Sequence, residues 1–489
     1  MIPVKLNQRD FEYDIHSLVR AFYPGMEVPV YAEGEPQPEE EAVDLAVFID
    51  YEGDGICIRF ENGEGELLTE QRAGLDAGAD RKQRKNSLKS LLYQMLSDYT
   101  GQKLPWGNLT GIRPTKIPMA LLEAGWKNVE IAEYMRNTYF TSNEKTALAI
   151  MIANREKHIL ENIHYENGYS LYIGIPFCPS ICLYCSFSSS PIGVWREKVD
   201  AYLDALCKEI AFGAKVYKDK ILDTLYIGGG TPTTLSPAQM DRLLSEVERR
   251  FDLSHLQEFT VEAGRPDSIT REKLEVLQKH KVSRISINPQ TMNQKTLDVI
   301  GRRHTVEETV EAFTLARELG FDNINMDLIV GLPGEELPEV EHTMKEVTRL
   351  APDSITVHSL AVKRAARLNM FKDQYKELTF TNNQQIMDMT SVYAGNAGLS
   401  PYYLYRQKNM AGNFENVGYA ANGKEGIYNI LIMEEKQSIL ALGAGASTKV
   451  VQAADRIDRI ENVKDIKNYI ERIDEMIERK KQGFMKYGI

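Results

Sequence analysis

Cysteine is scarce in this chain, with five in 489 residues. A disulfide framework is not expected in a reducing cytosol, where clustered cysteines more often bind metal or do chemistry. Long apolar runs are missing too, so no stretch reads as a membrane-spanning helix. The segment from Met1 to Asp10 lacks the apolar core of a signal peptide, and the expected location is the cytoplasm. Positive charge is in deficit: 58 Lys and Arg against 70 Asp and Glu leave a net charge of −12. That balance argues against a general nucleic-acid-binding surface. The rest, 43% hydrophobic and 26% charged, is the composition of a soluble globular protein. Its length calls for two or three domains.

Three of the five cysteines crowd into Phe177-Cys178-Pro179-Ser180-Ile181-Cys182-Leu183-Tyr184-Cys185, a CxxxCxxC spacing. Three thiolates on one short loop can hold three irons of a [4Fe–4S] cluster and leave the fourth open to a small molecule, whereas clusters that only carry electrons usually have four cysteine ligands. A zinc site needs a fourth ligand, and no histidine or second cysteine pair is close in sequence, although His158 and His164 lie upstream. A redox pair between Cys182 and Cys185 is a further alternative. Neither accounts for the step from Cys178 to Cys182. Cys57, in a strand-like run, and Cys207, at helical spacing with Leu203, Leu206 and Ile210, read as small buried apolar residues.

Residues 1–165 read as an α+β accessory domain. Glu33 to Glu41 is a loop by composition. Val43, Leu45, Val47 and Ile49 alternate, a turn follows at 52–55, and Ile56, Ile58 and Phe60 continue, which signals a β-hairpin. Leu88, Leu91, Leu92, Met95 and Leu96 form a helical stripe after the basic run Arg81 to Lys85, a solvated helix start rather than a nucleic-acid contact. Trp106, in a loop rich in turn formers, is expected to be exposed, docking on the next domain or touching a ligand.

From residue 166 to about 370 short β-rich runs alternate with amphipathic helical runs. Strands are expected near 170–175, 223–227, 258–262, 283–288, 323–329 and 354–358. About six βαβ units suit a partial (β/α)6 barrel whose function sits at the C-terminal strand ends. The cysteines follow the first strand. Residues 371–489 read as a mixed C-terminal extension, with a strand at Tyr402 to Tyr405, a glycine-interrupted apolar run from Ile439 to Ala446 and a charged helix from Val463 to Lys481.

The run Tyr172 to Phe187 resembles the cluster loop of the oxygen-independent coproporphyrinogen III oxidase family of radical S-adenosylmethionine (SAM) proteins. Gly228-Gly229-Gly230-Thr231-Pro232-Thr233, Thr260 to Ala263, Ile285 to Gln290 with Ile300 to His304, and Asn325 to Pro333 follow in the family's order. The resemblance implies a radical SAM barrel with a [4Fe–4S] cluster on Cys178, Cys182 and Cys185. It also implies one or two SAM molecules held by Tyr172, Tyr184, Gly229, Gly230, Thr231, Glu262, Gln290, Arg302, Asp327 and Ala361. A second SAM is matched by Tyr184, Gly230, Thr231, Gln290, Arg302, Asp327 and Ala361. No residue is singled out as catalytic.

The implied reaction converts propionates of coproporphyrinogen III to vinyl groups, giving protoporphyrinogen IX, with flavodoxin or ferredoxin as the kind of electron donor. Phe187 stands where the oxidase proper has a fourth cysteine, and Gly174 where it has a histidine. Phe187 is the form seen in the haem-chaperone branch. The loop, Glu262 to Asp267 and the long N-terminal domain instead resemble the HemZ branch. A haem carrier, or a radical SAM enzyme acting on another tetrapyrrole, are the alternatives. Arg265, Lys363, Arg364 and Arg367 are expected partners for substrate propionates.

Overall fold

A computed structural model describes the chain except residues 36–44, 54, 75–77, 112, 188, 362, 364, 365, 372–374, 376, 377, 407–413, 454, 455 and 489. Arg364, Val43, much of the acidic loop ending at Glu41, and the hairpin turn's Asp54 lie outside the described residues. The chain forms two compact units, Met1–Asn154 and Arg155–Ile489.

The first unit holds β1 (Val4–Leu6), β2 (Val30–Ala32), β3 (Ala46–Glu52), β4 (Gly55–Glu61) and β5 (Leu67–Gly74) in one sheet, ordered β2-β1-β3-β4-β5. β1 runs parallel to both neighbours, and β3, β4 and β5 form the expected hairpin plus one more antiparallel strand. Alternation puts Val47, Ile49, Ile58 and Phe60 into a core closed by the helices Glu12–Phe22 and Arg81–Thr100, through Leu18, Val19, Leu88 and Leu92. Asp80 caps the second helix with Gln83 in a reciprocal pair. The basic run lines a cavity of about 770 Å³. There Arg81 is committed to Asp10 and the Phe11 ring, and Arg9 to Glu12 and Glu35.

Trp106 corrects the sequence expectation, being only 2% exposed. Gly107 adopts a left-handed φ of 54°, where a Cβ would strike the Tyr139 carbonyl. Asn108 N–H bonds that same carbonyl, and Ser142 N–H bonds the Pro105 carbonyl. The tightened turn folds the indole inward.

The second unit is built on β6 (Gly168–Ile175), β7 (Phe177–Cys178), β8 (Ser190–Pro191), β9 (Ile221–Gly229), β10 (Glu258–Glu262), β11 (Arg284–Ser286), β12 (Ile324–Val330), β13 (Ser354–Ser359), β14 (Ser400–Tyr405), β15 (Asn416–Ala420), β16 (Ser438–Leu442), β17 (Ser447–Ala453) and β18 (Arg456–Glu461). Eleven strands make one sheet, ordered β14-β15-β13-β12-β11-β10-β9-β6-β16-β17-β18. The six strands expected between 170 and 358 sit side by side and parallel. They form an open α/β sheet rather than a closed barrel. The C-terminal segment continues it on both flanks: β16 parallel to β6, β15 antiparallel to β13. The helix expected at 463–481 is two helices, Ile466–Glu471 and Ile473–Tyr487, broken at Arg472, whose φ of −119° is not helical.

Period-two alternation gives this sheet two unlike faces. Leu171, Leu225, Phe259, Ile285, Ile324, Met326, Ile355 and Val357 share one face and are buried. Crossover helices supply the matching stripes, such as Leu203, Leu206 and Ile210. Each such side chain contributes about 1.5–3 kcal/mol on full burial. The other face is polar: Tyr172, Tyr226, Thr260, Arg284, Glu262, Ser286, Asn325, Asp327 and Thr356 share it by register.

Candidate functional site

The three cysteines lie on a loop closed at its base by β7 and β8, where Phe177 pairs with Ser190 and Cys178 with Pro191. Three further ties fix its path: Leu183 N–H to the Ile300 carbonyl at 2.9 Å, Ser180 Oγ to the Gly301 carbonyl at 3.1 Å, and Leu368 N–H to the Leu183 carbonyl at 3.0 Å. Within the loop Cys185 N–H reaches the Cys182 carbonyl at 3.2 Å. Cys182 is buried, and Cys178 and Cys185 are half-buried. Thr231 Oγ1 donates to Cys178 Sγ at 3.6 Å, and Arg265 Nη1 to Cys182 Sγ at 3.7 Å. Burial pushes the Cys178 and Cys185 thiols up, so metal binding there must displace protons.

Among the described residues no group of three His, Cys, Asp or Glu side chains converges so as to hold a metal ion. A cluster spreads its thiolates over several irons and needs no such convergence. Three thiols on one pinned loop, with hydroxyl and guanidinium donors on their sulfurs, fit a thiolate-held cluster.

Gly228 and Gly229 end β9 beside that loop, and Gly230 follows. Gly229 has a φ of 108°, and a Cβ on Gly230 would lie 2.5 Å from the Phe177 carbonyl oxygen. Gly230 N–H bonds the Ile175 carbonyl at 2.8 Å, and Thr231 N–H bonds that of Phe177 at 2.7 Å. Only glycine lets the backbones approach so closely. Glu262 ends β10 one strand over. It accepts from Tyr226 Oη at 2.5 Å. Burial pushes its carboxyl up to about 7; the hydrogen bond from Tyr226 opposes that shift and nearby Asp327 adds to it. Tyr172 stacks on Tyr226 and on Tyr428, 6.2 Å from each.

Asp327 lies on β12, with Asn325 Nδ2 at 2.7 Å and His358 Nε2 at 3.8 Å. Burial disfavours its charge, but the partners outweigh burial and hold the carboxyl below the usual range. Gln290 is a non-glycine residue at φ 69°. Its N–H and carbonyl are both tied to β12, to the Asp327 carbonyl and the Ile329 N–H. Arg302 is 5% exposed, gives Nη1 to the Asn288 carbonyl, and lies beside Tyr184 and Cys182. Ala361 follows the end of β13, half-buried.

Gln290 Oε1 and Arg302 Nε are buried without a protein partner. Buried polar atoms call for one, and the ammonium and carboxylate of an amino acid would serve each in turn.

Several neighbours carry no sequence signal. Tyr226 and Tyr428 are buried aromatics like any others, and Tyr428 arrives on a distant helix, Ile427–Glu434. His304 is fully buried with both ring nitrogens unpartnered, and burial pushes it down to about 3, with Arg302 and Arg265 adding to that. Only its place after Arg302 in the family motif hints at it. Arg265 corrects an expectation: at 3% exposure it is spent on Asp267 and the cluster loop, not presented to a propionate. Phe187 is 72% exposed, with Lys363 Nζ 5.9 Å from its ring centre; Lys363 and Arg367 are exposed.

The fold and the cysteine loop are those of a radical SAM protein: the profile of the radical SAM superfamily matches residues 172–347. The solved coproporphyrinogen III oxidase (HemN) of Escherichia coli shares the fold, with a TM-score of 0.53 and 24% identity over 66% of this chain and 73% of that one. Among curated proteins, the oxygen-independent coproporphyrinogen-III oxidase-like protein HemZ of Bacillus subtilis is 41% identical over 404 residues, 82% of this chain and 81% of its own. The heme chaperone HemW of Bacillus subtilis is 40% identical over 195 residues, 40% of this chain and 51% of its own. The chain belongs to the HemZ-like branch of the oxygen-independent coproporphyrinogen III oxidase family. Among the described residues no helix is long and apolar enough to cross a membrane.

Proposed function

We propose that this chain carries out oxygen-independent oxidative decarboxylation of two propionates of coproporphyrinogen III to vinyl groups, giving protoporphyrinogen IX. The observation that carries the reading is the 41% identity to HemZ along 82% of the chain. Residues 166–370 are the catalytic segment, with 1–165 an accessory domain and 371–489 an extension. Cys178, Cys182 and Cys185 hold the cluster. When bound, cluster and SAM supply the radical that takes a hydrogen from substrate. Gly229, Gly230 and Thr231 bring backbone and hydroxyl groups to the SAM amino acid end, where Gln290 Oε1 and Arg302 Nε provide an acceptor and a donor. Glu262 and Asp327 offer carboxylates to its hydroxyl and ammonium groups, and Tyr172, Tyr184 and Ala361 line its pocket. Lys363 and Arg367 meet the propionates. Electrons come from a flavodoxin or ferredoxin in the cytoplasm.

The test is anaerobic reconstitution with reductant, SAM and coproporphyrinogen III. The expected products are 5′-deoxyadenosine, carbon dioxide and protoporphyrinogen. Phe187 favours one second reading, a haem carrier, because it offers an exposed ring rather than a thiol beside the cluster loop. Tight haem binding without decarboxylation selects that reading. SAM cleavage that requires haem selects a reaction on another tetrapyrrole.

A further inference from the structure

Arg265 is a buried cation that the proposed reaction leaves without a task. It follows the end of β10 and is fixed on one side by Asp267, whose carboxylate takes Nε at 2.9 Å and Nη2 at 2.7 Å. This fork orients the planar guanidinium. Its remaining edge faces the cluster loop: Nη1 lies 3.1 Å from Ser180 Oγ and 3.7 Å from Cys182 Sγ. The backbone is held as well, because the Arg265 carbonyl accepts from Ser268 N–H at 3.0 Å and Ser268 Oγ at 2.7 Å. The Arg265 side chain is 4% exposed and that of Asp267 20%. Water therefore screens the acid more than the base, and the sulfur meets a net positive field.

We propose that Arg265 is a positioning residue that holds the Cys182 thiolate and raises the reduction potential of the cluster on Cys178, Cys182 and Cys185. The inference rests on the reading that these cysteines hold a cluster. A one-electron donor of the flavodoxin or ferredoxin class gives up one electron and the cluster gains it; no bond forms or breaks. The added negative charge is stabilised by a buried cation and by an N–H donor on sulfur, both known determinants of cluster potential.

The experiment uses the full chain, reconstituted anaerobically, with iron and sulfide counted and the potential read by a redox titration followed by electron paramagnetic resonance. Arg265→Gln is expected to disfavour reduction about tenfold, ~59 mV for one electron. Arg265→Lys keeps the charge and is expected to stay nearer the wild type than Arg265→Gln does. A fully loaded Arg265→Gln chain with the wild-type potential overturns the proposal, as does an Arg265→Lys chain shifted as far as Arg265→Gln. If the Gln variant folds but takes up no iron, rescue by Lys supports the holding role, and loss in both assigns Arg265 to structure alone. A wild-type chain that assembles no cluster instead overturns the cluster reading itself.

Discussion

The Tyr226 hydroxyl donates to Glu262 Oε1 at 2.5 Å, across neighbouring parallel strands, while the Tyr226 ring stacks on Tyr428 with centroids 4.5 Å apart and planes 23° apart. An aromatic layer thus fixes the orientation of a carboxylate at a strand end. Stacking locks the phenol, and the phenol locks the acid. Tyr172 extends the layer toward the cysteine loop.

Glu262 should leave a signature in the pH dependence of stability. Burial raises its carboxyl from 4.5 to about 7. The native state then binds this proton more tightly than the unfolded state does. Its contribution is most favourable below the unfolded pKa and declines as pH rises through the folded one. The shift corresponds to at most about 3.5 kcal/mol, which the partial exposure of the residue reduces. Glu262→Gln removes the slope, so its stability relative to wild type should increase between about pH 4.5 and pH 8. Urea denaturation of both proteins across that range checks this; a flat difference means the carboxylate is solvated in the native state.

Gln290 combines backbone strain with an unpartnered amide oxygen. A non-glycine residue in this region costs about 1–3 kcal/mol, and glycine removes that cost. Gln290→Gly is therefore expected to be as stable as wild type, or more so by about 1 kcal/mol, while its affinity for SAM falls. Chemical denaturation and calorimetric titration with SAM separate the two effects. A large loss of stability would make Gln290 a packing residue.

The parallel strands were legible because buried βαβ strands read as short β-rich runs between amphipathic helices. The cysteine loop was legible because its ligands are adjacent in sequence. The polar inner face was not: Thr260, Arg284, Asn325 and Thr356 are residue types that in a strand usually face solvent, and here all four are buried. Arg265 reads as a free cation although its acid partner Asp267 is only two positions on, because the contacts that tie it to the cluster loop, Ser180 and Cys182, are 85 and 83 positions away. β18 carries little strand signal because the charged residues Arg456, Asp458 and Arg459 mask its alternation.

Glu209 and Lys480 form an ion pair at 3.0 Å with both side chains fully buried. Tyr469 Oη and Gly443 N–H complete the shell of the acid, and Asn462 bonds both partners. Gly443 packs on Gly174, near the end of β6. Removing one member of a buried pair strands the other charge, at a cost of about 3–5 kcal/mol. Lys480→Met is expected to fall in that range, and Lys480→Met with Glu209→Gln to recover more than half of it. Denaturation midpoints of the two variants give the answer. A double variant no better than the single one would place the loss in helix packing.

Gly230 tests the geometry on which the candidate site depends. An added Cβ there lies 2.5 Å from the Phe177 carbonyl oxygen and 2.9 Å from that of Ile175, both rigid backbone atoms at the root of the cysteine loop. Relief requires β9 and the loop to separate, which breaks the hydrogen bonds from Gly230 and Thr231 N–H groups to those carbonyls. Overpacking of this kind costs about 1–3 kcal/mol. The displacement falls on Cys178, the next residue after Phe177. Gly230→Ala should therefore bind less iron and sulfide than wild type even at temperatures where it remains folded. Gly193→Ala is the control, because nothing lies within 4 Å of its Cβ position, and it should load fully. Iron content and cluster absorbance after anaerobic reconstitution, read beside circular dichroism, decide the matter: equal loading of the two variants would mean that the loop accommodates the methyl group without moving its cysteines.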